Sequence, residues 1–207
     1  MWVLRSVRHL GRCVGTIGVC GALAACVVGV SSVRYSAPWV DDPMVTVRHR
    51  MFETGDLALS IFASNEADDR DTILFPLIWS FKNRTNDSHE FGASITLRAN
   101  GSDLTVNPAS VELRLAAGRV VLPSSIRGPA ACGRTGYFLA ERDLLAEPVV
   151  LAARECVVLA VRFPVPPPDP QIPFSIALAD VRKAGARIGV PAIHFKEKRR
   201  HDPIGAP

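Results

Sequence analysis

An all-β chain is what this sequence predicts: a single Ig-like antiparallel β-sandwich, with an open barrel as the alternative. Three observations lead there. Short runs alternate apolar and polar residues with period two, as in Val111-Glu112-Leu113-Arg114-Leu115. Gly, Pro and Asn clusters punctuate these runs at short intervals. Helical periodicity is weak, with a short helix expected only over residues 139–145. Eight to ten short strands of this kind read as a sandwich.

Taken in order, the first strand is expected at Val45 and Val47, alternating with Thr46 and Arg48. Leu57, Leu59 and Ile61 alternate with Ala58, Ser60 and Phe62 in the next. Residues 65–71 (Asn-Glu-Ala-Asp-Asp-Arg-Asp) read as a polar loop. Residues 73–81 form the most apolar strand candidate, with Trp79 expected in the core and a bulge or edge at Pro76, which has no N–H to donate. Ile95, Leu97 and Ala99, then Asn100-Gly101, then Leu104 and Val106 suggest a hairpin with a type I′ turn. Val111, Leu113 and Leu115 follow, and Ala117-Gly118 turns the chain into Val120-Val121. Residues 123–147 read as irregular.

The run from Cys156 puts Val157, Leu159, Val161 and Phe163 on one face and Arg162 on the other. Residues 164–173 are proline-dense and favour an extended polyproline conformation of about 3.1 Å per residue, long enough to cross between sheets. Phe174, Ile176 and Leu178 then alternate, Lys183-Ala184-Gly185-Ala186 turns, and the segment through Phe195 returns antiparallel.

The N-terminus is of another kind. Arg5, Arg8 and Arg12 make a basic front end without acidic residues, and an uncharged run from Cys13 ends in Leu23-Ala24-Ala25-Cys26. This order of basic, apolar and small residues is that of an export signal. The tetrapeptide resembles the lipobox of bacterial lipoproteins. The resemblance covers residues 1–26. It implies cleavage between Ala25 and Cys26 and a diacylglyceryl group on the Cys26 thiol, with Val27, rather than Asp, after the cysteine favouring the outer membrane. A competing reading keeps residues 13–33 as a membrane-spanning signal anchor, since about 20 apolar residues span a bilayer. Cleavage to a soluble secreted protein is a third. The expected organisation is a signal peptide over 1–25, a lipidated cysteine and tether over 26–43, a β-sandwich over 44–195 and a basic polar tail over 196–207.

Setting aside the three leader arginines from 24 basic side chains leaves 21 against 20 acidic ones, a charge of +1. Such a near-neutral domain gives no general argument for nucleic acid binding. Cys13 and Cys20 leave with the leader, and Cys26 takes the lipid. Cys132 and Cys156 remain, an even pair in a compartment that permits disulfides, and a bond between them is expected. Metal ligation by the two cysteines and two buried free thiols are the alternatives.

The residues do not concentrate any catalytic chemistry. Gly-x-Ser-x-Gly, His-Glu-x-x-His and phosphate-loop patterns are absent. His89-Glu90 reads as a solvated pair. The oxygen-rich run at Asn65, Glu66, Asp68, Asp69 and Asp71 lacks EF-hand spacing, and Met44, His49 and Met51 as soft ligands are outweighed by ordinary packing. Lys196, Lys198, Arg199 and Arg200 are the one basic cluster and read as a solvated terminus, with contact to anionic lipid headgroups, lipopolysaccharide or peptidoglycan carboxylates as the alternative. The expectation is a non-catalytic binding or structural module of the cell envelope. It needs no cofactor or metal, and its partners are membrane lipid through Cys26 and an envelope protein. An envelope hydrolase or metal-handling protein on the same anchor is the alternative.

Overall fold

The computed structural model describes residues 27–48, 50–74, 77–83, 89–133 and 147–203. The leader with Cys26, His49, Pro76 and the helix expected over 139–145 lie outside them. The described residues form strands and short 3-10 turns, without an α-helix. In chain order the strands are β1 (Val27–Trp39), β2 (Thr46–Arg48), β3 (Met51–Glu53), β4 (Leu57–Ala63), β5 (Ala67–Leu74) and β6 (Leu77–Asn83). Next come β7 (Phe91–Ala99), β8 (Leu104–Val106), β9 (Val111–Arg114), β10 (Val120–Val121), β11 (Ser125–Ala131) and β12 (Val149–Leu151). The last are β13 (Cys156–Phe163), β14 (Phe174–Leu178), β15 (Val181–Lys183), β16 (Ala186–Ile188) and β17 (Ile193–Pro203).

They make three antiparallel sheets. The first runs β10-β9-β14-β17-β1-β5-β6, the second β11-β13-β7-β4-β3-β2 and the third β12-β8-β15-β16. The all-β antiparallel architecture expected from the alternation is present. Its cause is visible in the second sheet, where the period-two pattern of β7 is buried at every odd residue from Phe91 to Ala99. Register aligns Leu59 with Leu97 and Val157, Ile61 with Ile95 and Leu159, and Ala63 with Ala93 and Val161. These rows face Leu113, Ile176 and Ile193 of the first sheet, and one continuous core takes in all of them with Leu104, Val106 and Leu151 of the third. The proline-dense connector does cross between sheets, carrying the chain from β13 to β14.

Several expectations are overturned. Residues 27–39 are not a tether. They form β1, held between β17 and β5, with Val33 opposite Arg200 and Arg34 opposite Ala67. The basic tail is likewise β17 through Pro203 rather than a free terminus. Serines and Pro38 broke the local pattern of β1, but partners 30 to 170 residues away supply its ladder, and tertiary context outweighs weak β-propensity. Residues 67–71, expected in a polar loop, belong to strand β5. The apolar run 73–81 is divided between β5 and β6, which pair with Leu74 opposite Leu77. Trp79 is placed by its backbone opposite Thr72. Of the strand expected at Val45 and Val47, residues 46–48 form β2, exposed along its length rather than half buried, while Val45 just before it is partly buried against the core. Residues 125–131, expected to be irregular, are β11.

The hairpin at Asn100-Gly101 is absent. β7 is flanked on both sides by β4 and β13, so the chain leaves the second sheet after Ala99 and enters the third as β8. Asn100 marks that crossover instead, its side-chain amide donating to the Thr54 carbonyl at 3.1 Å. The two-residue turn with positive φ occurs at Ala184 (49°) and Gly185 (81°), joining β15 to β16. Gly128 (φ 139°) permits another close approach: a Cβ there would meet the Val158 carbonyl oxygen at 2.9 Å.

Asn65 ties β1 to the rest. It is 2% exposed. Its side-chain nitrogen donates to Ser36 Oγ at 2.8 Å and to the Pro168 carbonyl at 3.1 Å, and its oxygen accepts from the Ser36 N–H at 3.3 Å. One side chain thus joins β1, the β4–β5 connection and the proline-dense connector. Asn65→Ala strips buried polar groups of this partner and should cost about 1–3 kcal/mol. A urea midpoint that falls while the slope stays constant checks it.

Candidate functional site

The most chemically varied surface among the described residues lies across the outer face of the first sheet. Cross-strand register puts four distant residues in one row: Trp39 of β1 opposite His194 of β17, His194 opposite Ser175 of β14, and Ser175 opposite Arg114 of β9. Their chain neighbours Ile193, Phe195, Phe174, Ile176 and Leu113 are buried in the core, so alternation turns the row outward. The Trp39 and His194 rings lie 5.2 Å apart, tilted by 37°. Lys196, two residues along β17 from His194, sets its Nζ 5.2 Å from the Trp39 ring centroid, within cation–π range. Arg114 donates twice to Glu112 Oε2, at 3.0 and 2.8 Å.

The row borders a shallow cleft of about 260 Å³. Chemically it offers an aromatic face, an ammonium, a guanidinium and an imidazole, while Ser175 in the same row is buried, at 8% exposure. Such a set suits stacking on a ring and hydrogen bonding to hydroxyl or carboxylate oxygens. Local sequence could not reveal it, because positions 39, 114, 175 and 194 converge only through sheet pairing.

Further depressions among the described residues lie on the other two sheets. The outer face of the second sheet carries one of about 410 Å³ lined by Ser60, Phe62, Ser94, Thr96 and Val158. Beside the third sheet, Thr105, Asn107, Pro148, Asp180 and Arg182 line about 290 Å³. There Arg182 Nε donates to Asp180 Oδ1 at 2.8 Å. That hydrogen bond is the main cause holding the Asp180 carboxyl below its ordinary value, and the same bond raises Arg182.

The residues singled out from sequence are placed as follows. Cys132 and Cys156 come together, with sulfurs 2.02 Å apart, at disulfide distance, and Cα atoms 5.4 Å apart. The Cys132 N–H donates to the Cys156 carbonyl at 3.1 Å, continuing the β11–β13 ladder. Cys26 and Ala25 lie outside the described residues, and β1 begins at the next residue, Val27. Met44 is 83% exposed and Met51 is half-buried in β3. Asn65, once grouped with the oxygen-rich run, is committed to Ser36 and Pro168. Glu90 pairs with Arg162 at 3.4 Å. Among the described residues no group of three or more His, Cys, Asp or Glu is placed to hold a metal ion. No helix among them is long and apolar enough to cross a membrane.

No protein-family model, curated protein or solved structure matches this chain.

Proposed function

We propose that this chain is a bacterial lipoprotein: a β-sandwich exported from the cytoplasm, anchored by lipid on Cys26, and serving as a non-catalytic binding or structural module of the envelope. The observation that carries the reading is the pairing of Cys132 with Cys156 at disulfide distance, behind a basic, apolar leader that ends in Leu23-Ala24-Ala25-Cys26. Bonded cysteine pairs persist in oxidising compartments outside the cytoplasm. Support for a lipid over a signal anchor comes from β1. Residues 27–33 pair with β5 and β17. A helix running through Val33 would have to break that ladder. The row of Trp39, His194, Ser175 and Arg114 with Lys196 is the surface proposed to meet an envelope partner, one rich in hydroxyl or carboxylate groups.

Intact mass of the protein from its host's membranes tests the anchor, read beside Cys26→Ala. The expected species is residues 26–207 plus a diacylglyceryl group. In the variant this species is lost, and the protein leaves the membrane fraction or accumulates with its leader. A full-length mass unchanged by the substitution would overturn the reading in favour of a signal anchor.

A further inference from the structure

The register of β1 puts Val27 and Val28 at the same end of the first sheet as the tip of the β5–β6 hairpin. Val27 lies opposite Leu74, and Leu74 opposite Leu77; Val28 lies opposite Ile73, and Ile73 opposite Ile78. Two successive cross-strand rows over three adjacent strands therefore hold only Val, Ile and Leu. Adjacent strands are about 4.8 Å apart, so these six residues fall within a patch roughly 10 Å wide. In the sequence Cys26 directly precedes this patch.

We infer that the Val27–Val28, Ile73–Leu74 and Leu77–Ile78 end of the sheet is a lipid-surface contact that enters the membrane beside the acyl chains of Cys26. The inference rests on the lipoprotein reading above and deepens it. With β1 beginning at Val27, the anchor leaves no slack chain between lipid and sheet, so this end of the sheet is held against the bilayer.

The pattern also sets the depth. Behind the two apolar rows stand Gly29, Thr72 and Trp79. The next row brings Val30, Asp71 and Ser80, and the following ones Arg70, then Asp69, Lys82 and His201. From Leu74 to Asp71 is three residues, or about 10 Å of strand. A spanning strand needs roughly 9–11 residues. An apolar element lying at the boundary between headgroups and acyl chains is buried by about 5–10 Å. The uncharged tip fits that shallow insertion, and the charged rows behind it stop deeper entry.

The two tryptophans of residues 26–207 report opposite ends of this arrangement. Trp79 is two residues from Leu77, about 7 Å along β6, whereas Trp39 is twelve residues from Val27, about 40 Å along β1. The lipidated protein is reconstituted into phosphatidylcholine–phosphatidylglycerol vesicles, with or without acyl chains brominated near the headgroup. Trp39→Phe isolates Trp79, and Trp79→Phe isolates Trp39. Bromolipid is expected to quench Trp79 at least twofold more strongly than Trp39. Leu74→Asp with Leu77→Asp should abolish that difference while leaving the thermal midpoint within a few degrees.

Equal quenching of both tryptophans in protein of confirmed lipidated mass overturns the contact while leaving the anchor standing. So does a difference that survives the aspartate pair. A mass that retains the leader overturns the anchor. The assay is then repeated with Trp2→Phe added, and selective quenching of Trp79 still decides for the contact and its absence against it.

Discussion

Phe195→Ala is expected to lower the stability of the domain by about 3–5 kcal/mol. Phe195 is fully buried, and its ring stacks on Phe174 with centroids 4.6 Å apart and planes 6° from parallel. Phe174 meets Phe91 of the second sheet edge-on, at 5.6 Å and 84°, and Phe91 lies 5.9 Å from Phe163. The four rings form a continuous bridge between the first and second sheets. Removing one leaves a cavity where two sheets meet, and β-sheets held by ladders on either side cannot easily collapse into it. Aromatic pairs of this geometry add about 0.5–1.5 kcal/mol beyond their buried area. Phe62, 62% exposed on the outer face of the second sheet, supplies the contrast. Phe62→Ala should change stability by no more than about 0.5 kcal/mol. Urea titrations of the two variants check both values. A Phe195→Ala loss below about 1 kcal/mol would mean that the four rings do not join the sheets.

What the sequence disclosed divides along physical lines. Strands whose alternation is strong and whose inner face is buried, β4, β7, β9, β13 and β14, were legible from period two alone. The burial patterns of β7, β9 and β13 follow the apolar positions residue by residue, whereas Ala58 in β4 and Ser175 and Ala177 in β14 are buried as well. β1 was not, nor was β17 beyond Phe195, because serines, Pro38 and a run of basic residues obscure their pattern; the segment through Phe195 was expected to return antiparallel and pairs with β14. Their stability as strands comes from each other, across more than 150 residues of chain. The apolar run 73–81 was visible as hydrophobic but not as two strands, since periodicity cannot distinguish one long strand from a hairpin whose halves share a composition. Asn100-Gly101 carries strong turn chemistry, yet pairing of β7 on both edges removed the partner that a hairpin would need. The cysteine pair was legible because the expected loss of the leader and lipidation of Cys26 left only two candidates. The Trp39, His194, Ser175 and Arg114 row was hidden, for its members are brought together by the order β1-β17-β14-β9, and no strand records its neighbours.

Replacing both Cys132 and Cys156 by alanine should cost on the order of 3 kcal/mol, the loop-closure value for a sequence separation of 24. A domain of this kind has roughly 5–15 kcal/mol in total, so the loss consumes a large share of it. The site of the link amplifies its importance. Cys156 opens β13, which lies between β11 and β7 and carries Val157, Leu159, Val161 and Phe163 into the core. Cys132 directly follows β11, an edge strand whose ladder with β13 is interrupted by a register shift between Arg127 and Ala130. The covalent tie therefore secures an edge strand beyond its weakest point. Denaturation of the oxidised protein, the same protein with reductant, and the double variant should give one high midpoint and two lower, similar ones. Equal midpoints for all three, or two thiols alkylated without reductant, would mean that the sulfurs are not bonded. The comparison also tests the proposed location, because disulfides persist in oxidising compartments and a domain that kept its stability on reduction would not need one.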